Sequence, residues 1–317
     1  MNSSAEIRPT ELLAAPAATA ERFWAAVYRF LLRTHFRVLI GPPTPPWLQR
    51  PLTRLLAGLT FAKRGTASRW VRLGGMRAQL LTPPEARQGV MLYLHGGAFM
   101  VGSASTHRAV TTRLALYSER PVYVPEFRLA PEHPYPAALD DALACYQELL
   151  RAHGPQIVVA GDSAGGSLSV ALALALRARG LPQPAALLLM SPVTDPAFSG
   201  ASIQSRAAAD PMLRLSWVRQ GAAAYACPEQ TRPQHEHAPL RQPLDGLAPM
   251  FIQVGNDEIL RDDSTRLASH ARRCGVAVTL EVHAERWHVF QMQSAALPGA
   301  NAALQRLARY ARAALGD

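Results

Sequence analysis

A chain of 317 residues with 49 % hydrophobic content has room for a full core in one large α/β domain or two ordinary ones. Its formal charge of +10 invites a phosphate-bearing partner, but the charge is nearly all arginine (Lys63 is the only lysine) and dispersed singly, without a basic run interleaved with aromatics; this argues against nucleic acid. No stretch reaches the ~18 consecutive apolar residues that span a bilayer, so stable membrane insertion is not expected.

The first residues carry Glu6, Arg8 and Glu11 before an alanine-rich stretch, without the basic and apolar regions of a secretory signal. Cys145, Cys227 and Cys274 lie far apart and lack C-x-x-C spacing. They read as free thiols of a reducing compartment, and a cytoplasmic location is the expectation.

From about Thr19 to Phe36, Phe23, Trp24, Val27, Tyr28, Phe30, Leu31 and Leu32 recur at helical spacing. The proline run from Pro42 to Pro46 must stop that helix, and a second amphipathic stretch follows from Leu48 to Phe61. The pair reads as a helical hairpin packed on the domain, or as a mobile cap whose aromatic face lines a pocket; the two readings are compatible. Residues 1–65 are therefore set apart as an N-terminal helical cap region, with residues 66–317 as the main domain.

Arg69–Leu73 and Met76–Leu81, joined by Gly74-Gly75, predict a hairpin. Val90–Leu94 is apolar and short enough for a buried strand, and ends in His95-Gly96-Gly97-Ala98-Phe99. Small residues directly after a strand let backbone N–H groups approach a ligand closely. A helix over Thr106–Ser118, a strand over Pro121–Pro125, a proline-rich passage from Arg128 to Pro136 and a helix over Ala137–His153 come next.

The apolar run Ile157–Ala160 then leads into Gly161-Asp162-Ser163-Ala164-Gly165-Gly166 and a helical stretch. G-x-S-x-G between strand and helix is the pattern of a nucleophile elbow. A strand turning sharply into a helix crowds its backbone around the central residue, so the flanking positions must lack bulk. The serine hydroxyl is then presented at a helix N-terminus, where N–H groups can stabilise an oxyanion.

Beyond it lie a strand over Ala185–Met190 and an irregular, proline-dotted insertion over residues 196–246, with one helical stretch from Ser216 to Ala226. Such an insertion reads as a lid or specificity region. Its His235-Glu236-His237 triplet lacks further metal ligands at useful spacing and reads as a solvated loop. A strand over Pro249–Val254, a helix over Asp262–Cys274, a strand over Val276–Val282 and a terminal helix ending at Leu315 complete the alternation. The fold class is α/β, with a mostly parallel central sheet flanked by helices.

Asp257 and Glu258 follow one strand, and His288 sits in the loop after the next, giving the order serine, acid, histidine. His288 suits the general base better than His283, which closes a strand, or His95, whose place at the glycine turn suits a structural role.

The four segments His95–Phe99, Arg128-Leu129-Ala130-Pro131-Glu132-His133-Pro134, Gly161–Gly166 and His288-Val289-Phe290 resemble the bacterial hormone-sensitive-lipase-like (family IV) esterases of the α/β-hydrolase superfamily. The resemblance covers Val90 to the C-terminus. It implies a serine carboxylesterase that needs no metal or cofactor and acts on short-chain acyl esters. It assigns the nucleophile to Ser163, the base to His288 and the oxyanion donors to Gly97, Ala98 and Ala164, with His95, Gly96, Gly161, Asp162 and Gly165 completing the motifs. The family's H-G-G-G is His-Gly-Gly-Ala here, so Ala98 serves if its backbone conformation suits a residue with a Cβ. The family's D-P-L-x-D-E aligns with Glu258–Asp263, which favours Glu258 as the acid and leaves Asp257 as the alternative. A homodimer through the last strand and helix is a further implication. The same triad would serve a lactonase or amidase. A non-catalytic receptor, such as the gibberellin receptors that resemble this family, lacks the histidine that this chain retains.

Overall fold

In the computed structural model, which describes residues 10–15, 18–226 and 238–317, the apolar runs line up as one nine-stranded sheet in the order β1-β9-β8-β7-β6-β4-β5-β3-β2. The strands are β1 Glu11–Leu13, β2 Ala67–Leu73, β3 Met76–Thr82, β4 Val90–Leu94, β5 Val122–Pro125, β6 Ile157–Asp162, β7 Ala186–Met190, β8 Met250–Gly255 and β9 Val278–His283. Only β3 runs against the others: it pairs antiparallel with both β2 and β5, and the remaining ladders are parallel.

The helices are α1 Thr19–Leu31, α2 Arg37–Leu39, α3 Pro46–Ala57, α4 Arg108–Ser118, α5 Ala137–His153, α6 Ala164–Ala178, α7 Ser202–Ser205, α8 Leu215–Tyr225, α9 Arg261–Arg273 and α10 Pro298–Ala314. The central strands β4, β6, β7 and β8 are buried at every position because both faces are covered. Side-chain alternation divides them between two cores. Leu92, Leu94, Ile157 and Val159 pack with α5, α6 and α9. Met91, Tyr93, Val158 and Ala160 pack with α4 and α10.

Three features differ from the sequence expectation. The first helix does not run unbroken to Phe36: α1 stops at Leu31, a π-helical turn spans Leu32–Phe36, and α2 carries the chain on before the prolines. The second cap helix begins two residues early, at Pro46, where a proline at the first helical position loses no internal hydrogen bond. The third is β1, too short to show a periodicity, which adds in parallel to the outer edge of β9 and so occupies that edge. Cys227 and His235-Glu236-His237 lie outside the described residues; Cys145 and Cys274 are free thiols.

Candidate active site

Strand β6 ends at Asp162 and helix α6 begins at Ala164, so Ser163 makes the turn alone, at φ 51° and ψ −120°. The flanking glycines are required by close approach. A Cβ on Gly165 would lie 2.0 Å from the Leu94 carbonyl oxygen, and one on Gly161 would lie 2.4 Å from the Gly165 carbonyl oxygen. Ser163 is pinned by its own backbone: its N–H donates to Met190 O at 2.8 Å, and its carbonyl accepts from Ser167 and Val193.

The two candidate acids part company. Glu258 is fully buried, with Oε1 3.3 Å from His288 Nδ1. Its Oε2 accepts from Ser191 Oγ at 2.8 Å and from the Gly255 N–H at 3.1 Å. Asp257 faces away and pairs with Arg29 of α1 at 2.6 Å. His288 lies, as expected, in the loop between β9 and α10, and His283 is the last residue of β9. Burial by itself would lower the His288 pKa. The Glu258 charge and hydrogen bond outweigh it, with smaller help from Asp210 and Asp162, and hold the imidazole above its ordinary value of 6.5.

The glycine turn after β4 is braced by Asp162, the residue before Ser163. Asp162 Oδ1 accepts from Tyr93 Oη at 2.7 Å and from the Gly96 N–H at 3.0 Å, while Oδ2 lies 3.3 Å from His107 Nε2. Burial opposes ionisation of Asp162, but His107, Tyr93 and Gly96 together keep its carboxyl below the usual carboxylate range. His95 is buried against the Phe127 ring at a centroid distance of 4.3 Å. Desolvation, then the neighbouring His107, push its pKa down to about 4, which fits a structural, neutral ring.

Replacing the carboxylate disturbs the buried hydrogen bonds to Tyr93, Gly96 and His107, whose ring then gives up its proton, so Asp162→Asn is expected to cost about 1–3 kcal/mol of stability. Urea unfolding of the two proteins checks this, and an unchanged midpoint would remove the brace from the account.

The N–H groups of Gly97, Ala98 and Ala164 donate to no acceptor among the described residues. Ala98 sits at φ 53°, a left-handed conformation that costs a residue with a Cβ roughly 1–2 kcal/mol. Its methyl faces Gly221 of α8, where an added Cβ would come within 2.6 Å of both the Ala98 Cβ and its carbonyl oxygen. The bare backbone at Gly221 thus makes room for the departure from H-G-G-G.

Two chambers meet at Ser163. The larger, about 960 Å³ including its mouth, is also lined by His288, Gly97, Trp217 and inner residues of the cap such as Leu31 and Leu56. The smaller, about 560 Å³, lies on the Ala98 side under Phe99, Phe198, Trp217 and Tyr225. The cap is tied to the loops that carry Glu258 and His288. Arg29 bridges Asp257 and lies 5.3 Å over the Trp287 ring, and Glu21 pairs with Arg286.

Several of these residues escape a sequence reading. Ser191, His107, Asp210 and Arg29 belong to no motif; Asp210, whose carboxylate accepts the Ile259 N–H at 2.9 Å, is pushed up to about 6 by burial. The one local signal is the Ser191-Pro192 step that ends β7.

Comparison with known proteins agrees with this geometry. A family model described as the α/β-hydrolase fold matches residues 91–292. An esterase of Acinetobacter venetianus is 36 % identical over 291 residues, covering 91 % of this chain and 95 % of the relative. An acetyl-hydrolase of Streptomyces hygroscopicus is 37 % identical over 250 residues, covering 78 % of this chain and 83 % of the relative. The crystal structure of an esterase from the bacterial hormone-sensitive lipase family superposes with a TM-score of 0.86 at 33 % identity, covering 95 % of this chain and all of that one. The chain belongs to the α/β-hydrolase family, in its bacterial hormone-sensitive-lipase-like branch, and is a carboxylesterase.

Proposed function

We propose that the chain hydrolyses short-chain carboxylic esters by acyl transfer through Ser163, His288 and Glu258. Ser163 Oγ attacks the ester carbonyl while His288 takes its proton. The oxyanion rests on the N–H groups of Gly97, Ala98 and Ala164. As the carbonyl re-forms, the C–O bond to the alcohol breaks and His288 returns the proton to the leaving oxygen. Water, deprotonated by the same imidazole, then attacks the acyl-serine and releases the acid and the free hydroxyl. Glu258 fixes the ring tautomer and stabilises the imidazolium.

The observation that carries this reading is that Ser163 and His288 line one chamber while the buried Glu258 holds the far side of the His288 ring. The short-chain preference is supported by the smaller chamber, which the Phe99, Phe198, Trp217 and Tyr225 rings crowd. Hydrolysis of p-nitrophenyl esters from acetate to decanoate tests it, beside a lactone and an anilide. Rates should peak at the short acyl chains and exceed those on lactone and anilide. A maximum at decanoate overturns the chain-length assignment, and faster lactone or anilide turnover overturns the ester assignment.

A further inference from the structure

Large apolar side chains are exposed mainly on the cap. Phe23 and Phe30 of α1 are 62 % and 64 % exposed, and Trp47 and Leu55 of α3 are 69 % and 73 % exposed. They accompany Trp24, Val38 and Leu48, which are also exposed. These are the outer residues of the helices whose inner residues, such as Leu31 and Leu56, line the larger chamber. Apolar side chains concentrated in this way, with only Leu12 and Trp70 exposed to a similar degree outside residues 19–66, mark an interaction site.

The same region concentrates the charge of the chain. Residues 19–66 hold seven arginines and one lysine against a single carboxylate, Glu21, for a net charge of +7 within the total of +10. Glu21 is buried and committed to Arg286, and only Arg29 and Arg50 among the eight cations pair with a carboxylate, Asp257 and Glu132. Arg22, Arg33, Arg37, Arg54, Lys63 and Arg64 have no carboxylate partner among the described residues.

We infer that the outer face of the cap docks on an anionic phospholipid surface. Exposed Phe, Trp and Leu side chains on cationic helices fit the boundary between headgroups and acyl chains, and Arg22, Arg54 and Arg64, whose side chains make no hydrogen bond among the described residues, fit the headgroup phosphates; Arg33 and Arg37 are held by the carbonyls of residues 207–210. A second copy of this chain fits less well, because a symmetric contact would bring +7 against +7. Nucleic acid would satisfy the arginines but leave the aliphatic side chains Val38, Leu48 and Leu55 with nothing to cover them. No helix among the described residues is long and apolar enough to cross a membrane, so the attachment is peripheral. Docking would set the mouth of the larger chamber, which α1 and α3 frame, beside the lipid. The inference does not depend on the proposed mechanism, since its readout is binding.

The full chain is floated with vesicles of phosphatidylcholine alone and of phosphatidylcholine mixed with phosphatidylglycerol, at low and high salt. Binding should be confined to the mixed vesicles and weaken with salt. It should fall at least about tenfold both in Phe23→Ser/Phe30→Ser/Trp47→Ser/Leu55→Ser and in Arg22→Glu/Arg54→Glu/Arg64→Glu. Unchanged hydrolysis of p-nitrophenyl acetate in vesicle-free buffer shows that both variants are folded. Three results would overturn the inference: no flotation of the parent protein, flotation that survives both sets of substitutions, or a dimer in sedimentation that the apolar substitutions dissolve.

Discussion

Replacing Ser163 by alanine is expected to lower kcat/KM on p-nitrophenyl butyrate by about 10⁵- to 10⁶-fold with little change in stability. The two halves of that expectation have separate causes. In the proposed mechanism the loss is large because Ser163 supplies the attacking oxygen, while the residual rate reflects what the proposed oxyanion donors and binding do alone. Stability should hold because the turn is kept by main-chain hydrogen bonds to Met190, Ser167 and Val193 and by close packing at Gly161 and Gly165. His288→Ala should cost about as much, and the double variant little more, because residues that act as a unit are not additive.

Ser163→Gly refines the test. Glycine relieves roughly 1–2 kcal/mol of left-handed strain at φ 51°, against about 0.5–1 kcal/mol of extra chain entropy lost on folding. It should therefore be equally inactive and melt slightly above Ser163→Ala. Hydrolysis that persists in Ser163→Ala, at a rate above that of a contaminant, would place the nucleophile elsewhere.

What could be read from the sequence follows a physical division. The helix over Ala137–His153 and the strand Val90–Leu94 match the structure residue for residue, because the helix carries its own periodicity between Pro136 and Gly154 and the strand is a short unbroken apolar run between Gly89 and His95-Gly96. The elbow was legible for a different reason: steric crowding at one turn dictates residue types at fixed spacing, so Gly161, Ser163 and Gly165 advertise it locally. Arg29 advertises nothing, and Ser191 only the serine-proline step that follows β7. Ser191 meets Glu258 across two parallel strands, and Arg29 meets Asp257 across the join between cap and sheet; neither partner constrains the residue types near the other. Asp162 lies between these cases. It belongs to the elbow motif, yet its hydrogen bonds to Tyr93 and Gly96 depend on β4 lying beside β6. The three residues of β1 are too few for a period of two to register, and their pairing is decided by the free edge of β9.

The second large effect separates adjacent carboxylates. Glu258→Ala is expected to lower kcat/KM by about 10⁴-fold, the loss seen when the orienting acid of a triad is removed. Asp257→Ala should stay within about tenfold of the parent, because it removes a partly exposed ion pair with Arg29, worth at most about 1 kcal/mol. The pH profile gives the same distinction a sign. His288 must be neutral to accept the Ser163 proton, so kcat/KM rises with pH through the imidazole pKa of the free enzyme. Burial pulls that pKa down and Glu258 pushes it up, with a net rise, so the acid limb of the parent should have its midpoint above 6.5. In Glu258→Gln the main opposing charge is gone and burial prevails, leaving only the lesser pull of Asp210 and Asp162. The limb should then move to lower pH even as the plateau falls. Asp257→Asn should leave the limb in place. If the limb moves with Asp257 and not with Glu258, the acid has been assigned to the wrong neighbour; if it moves with neither, His288 is not the group being titrated.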